Sequence, residues 1–503
     1  MMNIMKKIII LTIMCLSVFS VSAFAENAMD MSFRVFYDGQ EISFPDEKPF
    51  ANTETQMPDG TIYSADDNRI KFVPIRPISD ALGYNVSWDG ETKTVTLEKD
   101  EKVVTFVLGG QCLVNGVSKS CVVNFPLKNG RVFVSQFALC HVFDCTLYWD
   151  EPNRILYLYS REKYPAEVDL TQDRYLNEDI KFKESVNSDV LNEFFSMAEP
   201  TFVIPGLQQA VIPQGIAYRK DTNQFYITGY LFVGHSRMAV VDAATGELTA
   251  QYRLLNADGS PHVGHMSGVA ISDDNLYLAQ GGNTIQRISL AAIDAADSNG
   301  FLQIEEEIKL ATGFESGNSF VEISDGYLWL GNYYQPGHKR YSKRATENYN
   351  VLMRGYKLDS SQPNDLDARY KVENSKCDYI PEIIYALESD ERIQGMTSTE
   401  NYLVTAVSTS KGLSLLRVYD TTKAVETDGL ITIGESAQLP VYKLKLKKTV
   451  SAPSMIEEVS AVNGFLYTVY ESGSQYCGDA TREALTDKVW KVNIEKLVAP
   501  VAE

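Results

Sequence analysis

Basic residues, histidines and the usual marks of nucleophilic or metal chemistry are scarce in this chain. Lysine and arginine number 46 against 66 aspartates and glutamates, a formal charge of −20. Nucleic acid and anionic membrane are thereby excluded as partners, because an acidic surface repels both. The same acid excess also serves simply to keep a chain soluble. Only five histidines occur: His141, His235, His262, His265 and His338. There is no Gly-x-Ser-x-Gly elbow, no His-Glu-x-x-His and no phosphate-cradling glycine loop, so nucleophilic hydrolysis and nucleotide use have no motif to rest on. No cysteine pair has the C-x-x-C form or a zinc-ligand spacing, which leaves thiol redox catalysis and structural zinc unsupported. After residue 25, no apolar run is long enough to span a bilayer.

What is present begins with the N-terminus. Lys6 and Lys7 precede an apolar stretch from Ile8 to Phe19, and Ala23-Phe24-Ala25 supplies a small-x-small cleavage pattern. Residues 1–25 therefore read as a signal peptide, and the mature protein is expected to be secreted or cell-surface associated. Met14 before Cys15 stands where a lipoprotein signal places a small residue, which argues against a lipid anchor. Six cysteines remain: Cys112, Cys121, Cys140, Cys145, Cys377 and Cys477. An even number in an exported chain permits up to three disulfides. Cys112 with Cys121 and Cys140 with Cys145 are the pairs closest in sequence, and at least one of them is expected to bridge.

The C-terminal half repeats one phrase five times: a polar residue, a small residue, an apolar pair, a turn and a short apolar strand. The copies are Gln-Gly-Ile-Ala at 214–217, Ser-Gly-Val-Ala at 267–270, Ser-Phe-Val-Glu at 319–322, Gln-Gly-Met-Thr at 394–397 and Glu-Glu-Val-Ser at 457–460. With Gly215, Gly268, Phe320, Gly395 and Glu458 as equivalents, the steps are 53, 52, 75 and 63 residues (268−215, 320−268, 395−320, 458−395). One four-stranded blade per step makes a β-propeller. Five blades are counted, and a sixth has room in 294–318, 335–350 or 360–392. Thr201-Phe202-Val203-Ile204 is placed to close the ring by completing the last blade beside Trp490-Lys491-Val492, which hides two otherwise exposed edges.

A second repeat lies further upstream. Phe72-Val73-Pro74 through Trp88-Asp89 matches Phe133-Val134-Ser135 through Trp149-Asp150 at an offset of 61 (133−72). Each copy predicts an extended segment, a short helix (Ile75 to Leu82; Gln136 to Phe143), a strand ending in Trp-Asp, and an alternating strand. Asn115-Gly116 between them predicts a type I′ hairpin turn. Val-Pro-Ile-Arg at 73–76, Ala-Leu-Gly-Tyr at 81–84 and Val-Ser-Trp-Asp at 86–89 resemble the copper amine oxidase-like N-terminal domain, or stalk domain, of exported bacterial proteins. The resemblance spans about residues 33–160, with Ser135, Gln136 and Asp144 departing from the pattern in the second copy. It implies a small α+β module acting as a spacer or adhesion unit. It does not imply copper chemistry: Asn348-Tyr349-Asn350 lacks the acidic residue of a cofactor tyrosine motif, and no His-x-His pair exists.

The expected layout is mainly β: a signal peptide at 1–25, the tandem stalk-like module at 26–160, a helical linker at 161–200 and the propeller at 201–503. In the linker, Val186, Val190, Phe194 and Met197 share one helical face. The propeller phrases resemble those of other exported bacterial proteins, which adds a fold and no activity.

In a propeller, the first strand of each blade lines the central channel. The leading residues Gln214, Ser267, Ser319, Gln394 and Glu457 are all polar, and the positions one strand later are Tyr230, Gly281, Tyr333, Ser408 and Glu471. With His265 nearby, these groups suit a sugar or another small polar ligand in a water-filled funnel. A polar lining without a ligand also reads from the same residues, since propeller channels fill with water. The reading is a non-oxidase that binds an extracellular polymer or small polar ligand, without cofactor, metal or assigned catalytic residue. The alternatives are a metal-dependent hydrolase of lactonase type, with Glu457 and Glu471 as ligands, or a purely structural adhesion protein. His262 and His265, at i and i+3, favour loop positioning over metal ligation.

Overall fold

The computed structural model describes residues 32–499 apart from 53, 57–61, 65–69, 109–110, 120–126, 144, 151–153, 161–169, 175, 210, 232–234, 280–281, 311–317, 338–341, 373–376, 389–390, 410–411, 434–436 and 475–481. The signal segment, Cys121, Cys477, Gly281 and His338 lie outside the described residues, as do the side chains of Cys140 and His141. One partner of each expected disulfide, Cys112–Cys121 and Cys140–Cys145, therefore falls outside the described side chains. Cys112, Cys145 and Cys377 are buried. The chain divides into two compact units, Met1–Lys163 and Tyr164–Glu503.

The first unit carries its repeat as a pseudo-twofold. Strands Ile70–Pro74 and Arg131–Ser135 run antiparallel and pair Val73 with Val134, its own equivalent at the offset of 61 (134−73). Phe72 and Phe133 flank that pair in the core. Each strand runs directly into a helix, Ile75–Ala81 or Gln136–Phe143, and then into a hairpin, 85–89 with 94–99 or 146–150 with 155–159. The departures in the second copy have local uses. The buried Ser135 hydroxyl accepts from the N–H of Ala138 in the first helical turn, and the buried Gln136 carbonyl accepts from Lys71 N. Asn115 and Gly116 both sit at positive φ, as a type I′ turn requires.

The second unit is a β-propeller. Its described residues form five sheets of four or more strands, beginning with Ile212–Arg219, Gly268–Ile271, Asn318–Ser324, Ile393–Thr399 and Ile456–Val462. Each first strand neighbours the next around a ring, and the fifth neighbours the first. Apolar clusters fill the spaces between neighbouring blades. Tyr226 and Met238 share one with Leu276, Tyr277 with Leu328, Phe320 with Leu403, Val404 with Leu466, and Val469 with Ile216. Segments with room for a sixth blade instead add outer strands to these sheets, at 301–303, 306–309 and 383–387. A hairpin at 425–444 leaves the fourth blade to extend the third, pairing Tyr442 with Tyr385.

Ala198–Val203 pairs antiparallel with Lys488–Asn493, so the last blade takes its outer strand from the N-terminal side. The segment before it departs from the helical linker read in the sequence. Among the described residues of this segment only Ser188–Leu191 and Asn192–Phe195 are helical, and the first of these is a 3-10 turn. The tighter 3-10 winding rotates the buried face: Leu191, Phe194 and Met197 pack beneath Trp490, while Val190 is 47% exposed. Upstream, Gln172 bonds to Val203 O, Gly246 O and Leu248 N, and Asp179 holds Lys488 at 2.7 Å. These residues form a strap bound to the propeller and not a free connector.

Candidate functional site

The repeated phrase has a structural cause. In four blades the first strand slips by one residue at the phrase's leading position, between Pro213 and Gly215, Asn318 and Phe320, Ile393 and Gly395, and Ile456 and Val459. Gln214, Ser319 and Gln394 are thus the extra residues of β-bulges, and Glu457 shares the fifth blade's bulge with Glu458. A bulge leaves one residue unpaired and re-aims its side chain. In the second blade the strand begins one residue later, at Gly268, with Ser267 just outside it.

The bulged residues form pairs across blades. Gln394 Nε2 donates to Glu457 Oε2 at 2.8 Å, and Gln214 Nε2 donates to Glu471 Oε1 at 2.5 Å. Gln214 Oε1 is buried without a partner. Burial, then the nearby Glu471 charge, raises the Glu457 carboxyl well above its ordinary range. Burial likewise pushes Glu471 up to about 7, although the Gln214 amide and the Arg482 charge oppose the shift. Tyr230 lies tilted against His265 with ring centroids 5.0 Å apart, and His265 Nδ1 lies 3.2 Å from Ser267 Oγ.

Other members of the expected ring do different work. Ser319 Oγ reaches Gly331 O and Ile393 O, tying the third blade to the fourth. Tyr333 OH donates to Gln335, and Ser408 is buried with its N–H on Arg392 O. The open, water-filled funnel expected from the sequence is corrected here: Gln214 is 1% and Glu457 3% exposed. Glu471, Gln394, Tyr230 and Tyr333 are only half-buried, so the reachable part of the mouth is theirs. His262 is a core residue, with Nδ1 2.8 Å from Ser236 Oγ and Nε2 3.0 Å from Gln286 Oε1, bridging the first two blades.

Below the mouth lies a group the repeat alignment displayed but did not explain. Glu458, fully buried where other copies carry glycine or phenylalanine, accepts from Ile216 N at 2.9 Å and Val269 N at 3.1 Å. A Cβ on Gly215 or Gly268 would come within 2.8 or 2.6 Å of its carboxylate, and one on Gly395 within 2.7 Å of its Cα. Three glycines thus leave the axial space that one glutamate fills. Glu322, another buried carboxyl, accepts from Thr397 Oγ1 at 2.8 Å, and burial pushes it up to about 8. Its charge adds to the burial that raises Glu458. The sequence signal for Glu322 was visible: it stands where the other copies have Ala217, Ala270, Thr397 and Ser460. Among the described residues, no group of three or more His, Cys, Asp or Glu side chains is placed to hold a metal ion. No helix among them is long and apolar enough to cross a membrane.

Comparison with known proteins adds to this geometry. Residues 50–158 match the family model of the copper amine oxidase N-terminal domain. A search of curated proteins finds no match. Among solved structures, the chain is similar to Myxococcus xanthus glutaminyl cyclase at 9% identity and a TM-score of 0.31, covering 59% of this chain and 96% of that one. It is also similar to a putative oxidoreductase (glucose dehydrogenase) from Thermus thermophilus, at 12% identity and a TM-score of 0.30, covering 59% of this chain and 99% of that one.

Proposed function

We propose that this is an exported, non-oxidase binding protein whose propeller holds an extracellular ligand, a glycan, peptide or envelope component, at the mouth of the ring. The stalk-like module serves as spacer or adhesion unit. One observation carries the reading: bulges in the first, fourth and fifth blades bring carboxylates and amides into pairs, with half-buried Tyr230 against His265 on the first blade's neighbouring strand end. Such a set accepts hydrogen bonds from hydroxyl or amine groups and offers aromatic faces for an apolar part of the ligand. Its acidic character favours neutral or cationic ligands. Glu471 is the group to test, since it is reachable and Glu457 is not. Glycan and peptide arrays probed with the whole chain are expected to give ligands whose affinity falls about tenfold or more in Glu471→Gln or Tyr230→Ala, with melting temperature nearly unchanged. Ligands bound equally by wild type and both variants would move the site elsewhere. Cell fractionation checks the export component: the protein is expected outside the cytoplasm with residues 1–25 removed.

A further inference from the structure

The first unit contains a cleft that is independent of the propeller mouth. Its volume is about 990 Å³, at the upper end of the roughly 300–1,000 Å³ range of ligand sites. Trp88 lines it on the edge strand Asn85–Asp89, the last strand of its five-stranded sheet, and is 44% exposed. A tryptophan that is part of a core does not leave so much indole in water. Its ring N–H has no acceptor among the described residues.

The polar lining decides what such a platform would hold. Glu41 is engaged by Arg34, Asp46 by Arg131, and Glu47 by Asn129. Arg76 and Asp80, one turn apart on the helix Ile75–Ala81, line the same cleft, and their side chains make no hydrogen bond with described residues. The cleft therefore offers the exposed indole of Trp88, with Tyr37 also in its lining, one unengaged planar donor and one unengaged carboxylate acceptor. Sugar rings present a C–H face, whose positive edge matches the negative face of an indole, and a rim of vicinal hydroxyls that both donate and accept. Four lining carboxylates, Glu41, Asp46, Glu47 and Asp80, outnumber Arg76 and Arg131 and disfavour a polyanionic chain.

We propose that this cleft binds a neutral, β-linked glycan chain, with Trp88 as the stacking platform and Arg76 and Asp80 as hydrogen-bonding groups on the sugar rim. β-1,4-linked pyranoses expose flat apolar faces repeatedly along an extended chain, which suits an exposed platform on an edge strand beside an open cleft. This gives the stalk-like unit a ligand of its own, apart from the site at the propeller mouth.

Affinity electrophoresis of the full chain in gels containing glycol chitin or hydroxyethyl cellulose tests the proposal. At least one of these polymers is expected to retard the wild type. Trp88→Ala is expected to weaken binding tenfold or more, Asp80→Asn and Arg76→Ala several-fold, and Trp88→Phe only a few-fold because a ring remains. Soluble oligomers of the same sugar should shift the tryptophan emission of the wild type but not that of Trp88→Phe. Equal melting temperatures across the variants would exclude a folding defect. Retardation that survives in Trp88→Ala, absence of retardation by both polymers, or selective retardation by heparin would overturn the assignment. Loss in Glu471→Gln with retention in Trp88→Ala would place the glycan at the propeller mouth, so the two sites fail separately.

Discussion

Glu458 shows how one side chain can hold several blades. Its carboxylate accepts backbone N–H groups from the first and second blades while belonging to the fifth. Replacing it by alanine strands two buried donors, at about 1–3 kcal/mol each, so Glu458→Ala is expected to lose roughly 2–6 kcal/mol in urea unfolding of the propeller. Glu458→Gln keeps one acceptor oxygen and should lose less. Gly395→Ala belongs to the same packing problem, since its Cβ would meet Glu458 Cα at 2.7 Å and Glu457 O at 2.9 Å. Overpacking of this kind costs about 1–3 kcal/mol. The raised carboxyls fix the sign of a pH effect. Unfolded, Glu322 ionises near its ordinary value of 4.5; folded, it keeps its proton to about 8. Over that window the folded state binds more protons than the unfolded state, so stability falls as pH rises. Melting temperatures at pH 5, 6.5 and 8 are expected to decline less steeply in Glu322→Gln than in the wild type. An equal slope in the two proteins would assign the decline to other groups.

The propeller's order depends on elements outside the repeated phrase. Strand 198–203 covers the edge of 488–493, and the strap before it is hydrogen-bonded along the last and first blades. A chain beginning at Tyr164 is expected to fold and melt in one cooperative transition. A chain beginning at Ile204 exposes the 488–493 edge and removes Phe194 and Met197 from the cluster under Trp490, so it should aggregate or melt far lower. Scanning calorimetry and size-exclusion chromatography distinguish the two outcomes. The closing strand was legible because Thr-Phe-Val-Ile is a run of β-branched and aromatic residues lying just before the first phrase. The strap was not legible, because its contacts are hydrogen bonds of Gln172 with distant backbone groups and of Lys488 donating to Asp179, which leave no periodicity. The 425–444 hairpin was equally silent, since nothing local says that a strand inserted within one blade will pair with its neighbour.

For the molecule as a whole, the redox state remains an expectation of the sequence: alkylation before and after reduction, read by mass spectrometry, should show at least Cys112–Cys121 or Cys140–Cys145 bridged. Complete alkylation without reductant would remove it. The division of labour between sequence and structure follows from range. Strand periodicity, turn chemistry and internal repetition are local, so composition and spacing alone determined a mainly β chain, a propeller and a duplicated N-terminal module. The duplication even set its own axis, because equal segments 61 residues apart (134−73) can pair antiparallel about the equivalent residues Val73 and Val134. Which polar residues meet depends on bulges and on the closeness of five inner strands, neither of which is local. Only the tertiary structure therefore decided that Gln214 and Gln394 clamp carboxylates of the fifth blade, that Ser319 is a fastener between blades, and that the expected funnel is filled at its axis by Glu458. Burial settles such questions, and burial is a property of the assembled ring: a carboxyl that would be solvated in an open channel becomes a core group, raised well above its ordinary range by burial and held by backbone N–H groups, when three facing positions are glycine.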